Sequence, residues 1–426
     1  MDRLHVQGTG PLQGTLQNAG AKNACLSILS ASLLSKETLS LTNLPVLSDV
    51  ETMIGILRGL GTEIERSGNV AHCRTLRIPD PTASWDLVRK MRASFEVLGP
   101  LLARCGRARV SYPGGCLIGV RPVDAHLRGL EALGARVRTE GGNVVAAAPA
   151  GGLRGGEVYL GTPAGASVGA TRNVLMAAVL AKGQSVLNSA ACEPEVVDLA
   201  ECLNAMGADV QGAGSPTIIV RGVDELHGAE HRIIPDRIEA GTYLVAGALT
   251  GGRVRVAGLR PEHHSALLDA FSRAGVPIER GADWLETQAR DLEQDRLQPT
   301  DITTQPYPGF PTDLQAQWMA LMLAAPGVSI ITETIFEDRY MHLAELARLG
   351  ASVRRQANGA IVCGGGPLSG ANLTASDLRA SAALVLAGLL AEGETVVHRV
   401  YHIDRGYERI EERLNGLGAR IRRETD

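Results

Sequence analysis

Apolar residues run almost unbroken through six short segments of the chain, built from Ala, Ser, Gly and Leu far more than from aromatics. They read KNACLSILSASLLS, RASFEVLGPLLARC, SVGATRNVLMAAVLA, RIEAGTYLVAGALT, TDLQAQWMALMLAA and LRASAALVLAGLLA. A helix lying on a sheet keeps a polar stripe toward water. These segments lack one, so the pattern predicts helices buried on every face, with the sheets on the outside. A glycine-marked turn and an alternating, strand-like stretch follow each helix. A second helix then ends on a Leu-Gly-like pair: LRGLGTEI at 57, LEALGARV at 130, LNAMGADV at 203, FSRAGVPI at 271, LARLGASV at 346 and LNGLGARI at 414. Each glycine stands just past a helix end, where the backbone turns left-handed, and strand residues come next. Successive copies lie roughly 70 residues apart, the size of a small supersecondary unit. Six βαβαββ-type copies predict two domains of three, residues 22–234 and 235–426, with residues 1–21 completing the sheet of the second.

Composition narrows the class. A chain of 426 residues exceeds one ordinary core, and 45% hydrophobic content with 50 glycines fits a tightly packed α/β protein. The net charge of −4 gives no general attraction for nucleic acid or an acidic membrane, so any anion site must be built locally. Seven cysteines, odd in number and without CxxC or metal-type spacing, point to a reducing compartment and away from disulfides or zinc. The opening MDRLHVQGTG has no apolar export core, and ASAALVLAGLLA is too short to span a bilayer. A cytoplasmic protein is expected.

The repeats align the residues that break the pattern. At the heads of the buried helices stand Lys22-Asn23, Arg92, Ser167-Val168-Gly169, Asp236-Arg237, Asp313 and Asp377-Arg379. The loops before the second helices carry Asp49, Arg121 to Asp124, Glu195 to Asp198, Glu262, Arg339 and Arg405. Helix N-termini offer unpaired N–H groups and partial positive charge, and cations placed there disfavour the helix while strengthening an anion site. Any single charge reads as solvated; recurrence at equivalent places does not. SYPGGCLIGVRPVD sets Cys116 behind two glycines and five residues before Arg121, a tethered thiol beside a fixed charge, or else one more buried small hydrophobe. No GxxxxGK[ST], HExxH or GxSxG occurs; GTGPLQG at 8–14 reads as a hairpin turn, and His263-His264 as a solvated loop rather than a metal site.

NAGAKNA (18–24), MRAS (91–94), PGGCLIGVRPVDAH (113–126), PDRIEAGT (235–242), PYPGFPTDLQAQ (306–317), TETIFEDRYMH (332–342), TASDLRAS (374–381) and YHIDRGYERIEERL (401–414) resemble the UDP-N-acetylglucosamine 1-carboxyvinyltransferase family of EPSP synthase-like enzymes. The likeness runs from about residue 4 to the C-terminus. It implies a two-domain inside-out α/β barrel with the active site in the interdomain cleft. It also implies transfer of the enolpyruvyl group of phosphoenolpyruvate to the 3′-hydroxyl of UDP-N-acetylglucosamine, with release of phosphate, at the start of peptidoglycan synthesis.

By this resemblance Cys116 protonates the enol and is the thiol that fosfomycin would alkylate, and Asp313 is the base or the group that positions the sugar hydroxyl. Lys22, Arg121 and Arg405 hold the phosphate, and Arg379 and Arg339 lie near the carboxylate, with Arg92 a further cation. Asn23 bonds the reacting centre. Arg121, Pro122, Val123, Asp124 and His126 surround the uracil, Ser167, Val168 and Gly169 the diphosphate, and Ile335 the sugar. No cofactor, metal, nucleic acid or membrane insertion is implied, and nothing signals an oligomeric state. Three rivals remain. The sister enzyme acting on shikimate 3-phosphate has a GSKS-type opening where this chain has GAKN, and no PGGC loop. A silent UDP-sugar sensor would have no use for an acid thiol. A transferase using another uridine nucleotide stays open.

Overall fold

The computed structural model describes residues 2–113 and 123–425, so Cys116, Arg121 and Pro122 lie outside the described residues. Six four-stranded sheets share one design among the described residues. A lead strand runs parallel to the second, which pairs antiparallel with a third, which pairs antiparallel with the fourth. In one sheet Thr82–Ala83 leads, and Arg107–Ser111, Asn143–Ala147 and Arg136–Glu140 follow in that spatial order. In four of these sheets a buried helix joins lead strand to second strand, and in all six a Leu-Gly helix joins second to fourth, so the chain repeats the order βαβαββ. The architecture is mixed α/β.

The helices are as apolar in place as in sequence. Every residue of Gln315–Leu323 is buried, as is all of Arg237–Thr250 except Arg237 and all of Lys22–Ala31 except Asn23. Strands such as Thr38–Thr42 bury alternate residues, here Leu39 and Leu41, and turn the others outward. Two of the buried helices open as tighter 3-10 turns, Arg92–Val97 before Leu98–Cys105 and Thr312–Leu314 before Gln315–Leu323. The six Leu-Gly glycines all have positive φ: Gly61 at 101°, Gly134 at 87°, Gly207 at 99°, Gly275 at 74°, Gly350 at 89° and Gly418 at 100°. A side chain at such a site would press on its own backbone, which is why the motif ends in glycine.

The chain divides into two compact units, residues 20–113 with 123–234, and residues 2–19 with 235–425. It passes from one to the other at 19/20 and 234/235. At these passages lead strands are exchanged. Gln13–Gln17 precedes the Lys22–Ala31 helix but pairs with Arg253–Ala257, while Ala229–Arg232 precedes the Arg237–Thr250 helix but pairs with Thr38–Thr42. The first strand, Arg3–Gln7, sits between Glu394–His398 and Arg420–Glu424, so the last repeat is completed by the start of the chain.

Three local expectations need correction. GTGPLQG is not a hairpin turn: Arg3–Gln7 and Gln13–Gln17 belong to different sheets, because both find partners from the far end of the chain. Asp49 and Glu195 lie in the first turns of Ser48–Gly59 and Pro194–Ala205 rather than in loops, where a carboxylate favours the positive helix end. His263-His264 belongs to the 3-10 turn Pro261–His264, and His264 is buried with its Nδ1 3.0 Å from the Arg260 carbonyl. None of the described helices is long and apolar enough to cross a membrane.

Candidate active site

In the unit spanning 20–234, three buried helices bring their first turns together. Lys22 opens the Lys22–Ala31 helix, buried, with Nζ 3.1 Å from Oδ2 of the buried Asp49. Its neighbour Asn23 accepts at its carbonyl from Arg172 Nη1 at 2.7 Å. Arg172, from the Val168–Ala178 helix, also pairs through Nη2 with Glu96 at 2.5 Å, and Glu96 accepts from Ser27 Oγ at 2.8 Å. One buried ion pair thus ties the first turn carrying Lys22-Asn23 to the Arg92–Val97 turn and to the helix that Ser167 caps. Burial pushes the Glu96 carboxyl up, while Arg172 and Ser27 pull it back.

His126, in the Asp124–Ala132 helix, is held by the same group. Its Nδ1 is 3.0 Å from Asn173 Nδ2, and its ring stands edge-on to Phe95 at 5.3 Å. Asn173 accepts from Gly99 N through its oxygen and donates to the Phe95 carbonyl, which fixes its amide orientation and leaves His126 Nδ1 as the acceptor. Gly169 packs so closely that a Cβ would sit 3.2 Å from His126 Cε1 and 3.6 Å from Glu96 Oε1. Ser167 caps the helix by accepting from Ala170 N at 3.3 Å. Lys22, Asn23, Arg92, Val123, Asp124, His126, Ser167, Val168 and Gly169 therefore belong to one unit, mostly at helix starts.

The other unit holds Asp313, Ile335, Arg339, Arg379 and Arg405. Asp313 lies between two guanidinium groups: Oδ1 accepts from Arg339 Nη1 at 2.8 Å, and Oδ2 is 3.6 Å from Arg379 Nε. Arg379 is 1% exposed, and its charge is met by the Asp313 carboxylate and by Tyr407, the centre of whose ring lies 5.2 Å from Cζ. Burial works against both charges. Even so, Asp313 and Asp377 hold the Arg339 pKa above its ordinary value, and Tyr407, Asp313 and Asp236 do the same for Arg379. Asp377 caps the Leu378–Leu390 helix, accepting from Arg379 N at 2.9 Å and Ala380 N at 3.2 Å. Arg405 ends the 3-10 turn Val400–Arg405, whose Asp404 is gripped by Arg423 at 2.7 and 3.0 Å. A buried guanidinium pair with one carboxylate between them can bind an anion and hold a hydroxyl against the carboxylate.

Sequence reasoning missed Arg172, Glu96 and Glu333, the buried charges that brace these residues. Each stands alone in an apolar or Thr-rich run, and a lone charge in a segment predicted to be buried demands a partner. Burial also raises the pKa of Cys25, Cys73, Cys105, Cys192 and Cys202, so none of these is disposed to act as a thiolate.

The sequence profile described as EPSP synthase (3-phosphoshikimate 1-carboxyvinyltransferase) matches residues 6–414, nearly the whole chain. The chain belongs to the EPSP synthase family. Among curated relatives, the UDP-N-acetylglucosamine 1-carboxyvinyltransferase of Rhodospirillum centenum is 51% identical over 100% of both chains. The proteins of the same name from Cereibacter sphaeroides and Caulobacter vibrioides are 53% and 52% identical, each covering 99% of this chain and 99% and 98% of their own. The enolpyruvyl transferase NikO from Streptomyces tendae superposes with a TM-score of 0.89 at 26% identity, over 99% of this chain and 98% of its own. EPSP synthase from Acinetobacter baumannii gives 0.76 at 18% identity over 100% of both chains, a likeness of fold. Within the EPSP synthase family, then, this chain is far more similar in sequence to these UDP-N-acetylglucosamine 1-carboxyvinyltransferases than to the Acinetobacter baumannii EPSP synthase.

Proposed function

We propose that this chain transfers the enolpyruvyl group of phosphoenolpyruvate to the 3′-hydroxyl of UDP-N-acetylglucosamine, releasing phosphate, at the opening step of peptidoglycan synthesis. The observation that carries the reading is identity of 51–53% with enzymes of that name along the full length. In this reading each unit is an inside-out α/β barrel, helices within and sheets around, and residues of both units serve the substrates. The all-round burial of the helices and the alternating burial of the strands support the barrel. The substrates are a nucleotide sugar and a glycolytic phosphate ester, which places the enzyme in the cytoplasm.

The hydroxyl oxygen adds to C2 of phosphoenolpyruvate while C3 gains a proton, forming a tetrahedral intermediate. Loss of a C3 proton and departure of phosphate then restore the double bond. Cys116 supplies the proton to C3. Asp313, held between the two guanidinium groups, orients the hydroxyl and takes its proton. Lys22, Arg121 and Arg405 hold the phosphate, with Arg92 adding positive charge. Arg379 and Arg339 face the carboxylate; two buried guanidinium groups around the single Asp313 carboxylate are suited to a further anion. Asn23 bonds the reacting centre. Arg121, Pro122, Val123, Asp124 and His126 hold the uracil, Ser167, Val168 and Gly169 the diphosphate, and Ile335 the sugar.

Phosphate release from phosphoenolpyruvate should require UDP-N-acetylglucosamine and should not occur with shikimate 3-phosphate in its place. Cys116→Ser should lose this release, and fosfomycin should add one equivalent of mass to the parent protein but not to that variant. Release with shikimate 3-phosphate, or none with either acceptor, would overturn the reading.

A further inference from the structure

The buried carboxylate of Glu333 is the junction of the Asp313 constellation. It is 1% exposed and accepts four hydrogen bonds. Oε1 receives Thr304 Oγ1 at 2.7 Å and the backbone N–H groups of Ile335 at 2.8 Å and Phe336 at 3.1 Å. Oε2 receives Thr312 Oγ1 at 2.8 Å. The Thr312 hydroxyl, its proton committed to Glu333, offers its lone pair to Arg339 Nη1 at 2.9 Å, and that same nitrogen bonds Asp313 Oδ1 at 2.8 Å. One carboxylate thereby anchors two structures: the Thr312–Leu314 turn that presents Asp313, and the loop that carries Ile335.

We infer that Glu333 is a positioning residue, which aims Asp313 through Thr312 and Arg339 and shapes the nucleotide-sugar loop at Ile335. The inference rests on the proposed roles of Asp313 and Ile335. Its physical basis is that an ionised carboxylate is an acceptor only, so all four donors around Glu333 have a single solution. A glutamine in its place must turn one N–H group toward a donor or strand the Thr312 hydroxyl proton. The brace then loosens at Arg339, and small misplacements of a reacting group cost up to about 100-fold in rate.

The two arms separate in kinetics. Thr312→Val cuts only the arm to Arg339 and should lower kcat roughly tenfold, with the KM for UDP-N-acetylglucosamine unchanged. Glu333→Gln keeps one acceptor oxygen of two and so only one arm: with that oxygen toward Ile335 and Phe336 it should lower kcat as Thr312→Val does, and with it toward Thr312 it should raise that KM several-fold, on the order of one lost hydrogen bond. Thermal unfolding of each variant shows whether the protein remains folded, and should it be Glu333→Gln that fails to fold, Thr312→Val alone decides. A folded Thr312→Val protein with unchanged kcat, or a Glu333→Gln protein with unchanged kcat and KM, overturns the inference. Asp313→Asn with undiminished turnover would instead refute the reading of Asp313 on which it stands.

Discussion

A carboxylate buried beside a chain passage shows how one side chain can make stability depend on pH. Glu239 accepts from Ala19 N at 2.9 Å, one residue from the passage at 19/20, and lies 3.9 Å from Arg413 Nε. Burial pushes its carboxyl up from 4.5 to about 7; Arg413 and the Ala19 N–H resist this, and Asp236 and Glu408 add to it. Between those values the folded chain keeps a proton that the unfolded chain has released, so stability falls as pH rises across that window. Glu239→Gln keeps an oxygen for Ala19 and removes the titration. Relative to the parent it should gain up to about 3 kcal/mol between pH 5 and pH 8. Thermal unfolding at both pH values tests this, and a difference between the two proteins that is the same at both would refute it. None of this was visible in RIEAGTYL, where Glu239 looks like an ordinary helix residue; the partners that bury it come from residues 19 and 413.

Elements were more legible than residues. The Leu-Gly pairs marked six helix ends, and all six glycines carry the backbone geometry the motif requires. What varies is the space around them. At Gly61 an added Cβ would lie 2.8 Å from the Arg77 carbonyl oxygen and from Pro79, whereas at Gly418 nothing lies within 4 Å. Gly418→Ala should therefore cost only the left-handed backbone penalty of about 1–2 kcal/mol. Gly61→Ala should cost distinctly more, because backbone must move as well. Equal losses in denaturant unfolding would show that crowding at Gly61 does not matter. The buried helices were equally readable, since continuous apolar character is a local property. The 3-10 openings at Arg92 and Thr312 were not: Glu96 and Thr312 within them bond Arg172 and Glu333, partners that no local pattern encodes.

At the scale of the whole molecule, chain order and spatial order part company at the N-terminus. Arg3–Gln7 and Gln13–Gln17 supply strands to two sheets whose other members all come from residues beyond 252. Arg3–Gln7 is an interior strand with Leu4 and Val6 fully buried. Removing residues 1–17 should thus expose the unit built from 235–425, although the cut lies at the opposite end of the chain. Hydrogen exchange should rise in Glu394–His398 and Arg420–Glu424, the strands that would lose their partner, more than in Thr38–Thr42. Protection unchanged in those two strands would contradict this.

The sequence alone determined what repeats: six apolar helices, six glycine-ended helices and the strands between them, together with motifs specific enough to indicate an enzyme family. These are written in short windows, where periodicity and backbone propensity act within a few residues. Tertiary structure alone decided which lead strand joins which sheet, that Asp313 lies between Arg339 and Arg379, and that Arg172, Glu96 and Glu333 brace the helix starts. Such pairings are fixed by the cost of leaving buried charges and strand edges unpaired, and their partners lie from about twenty to several hundred residues apart, beyond the reach of any local pattern.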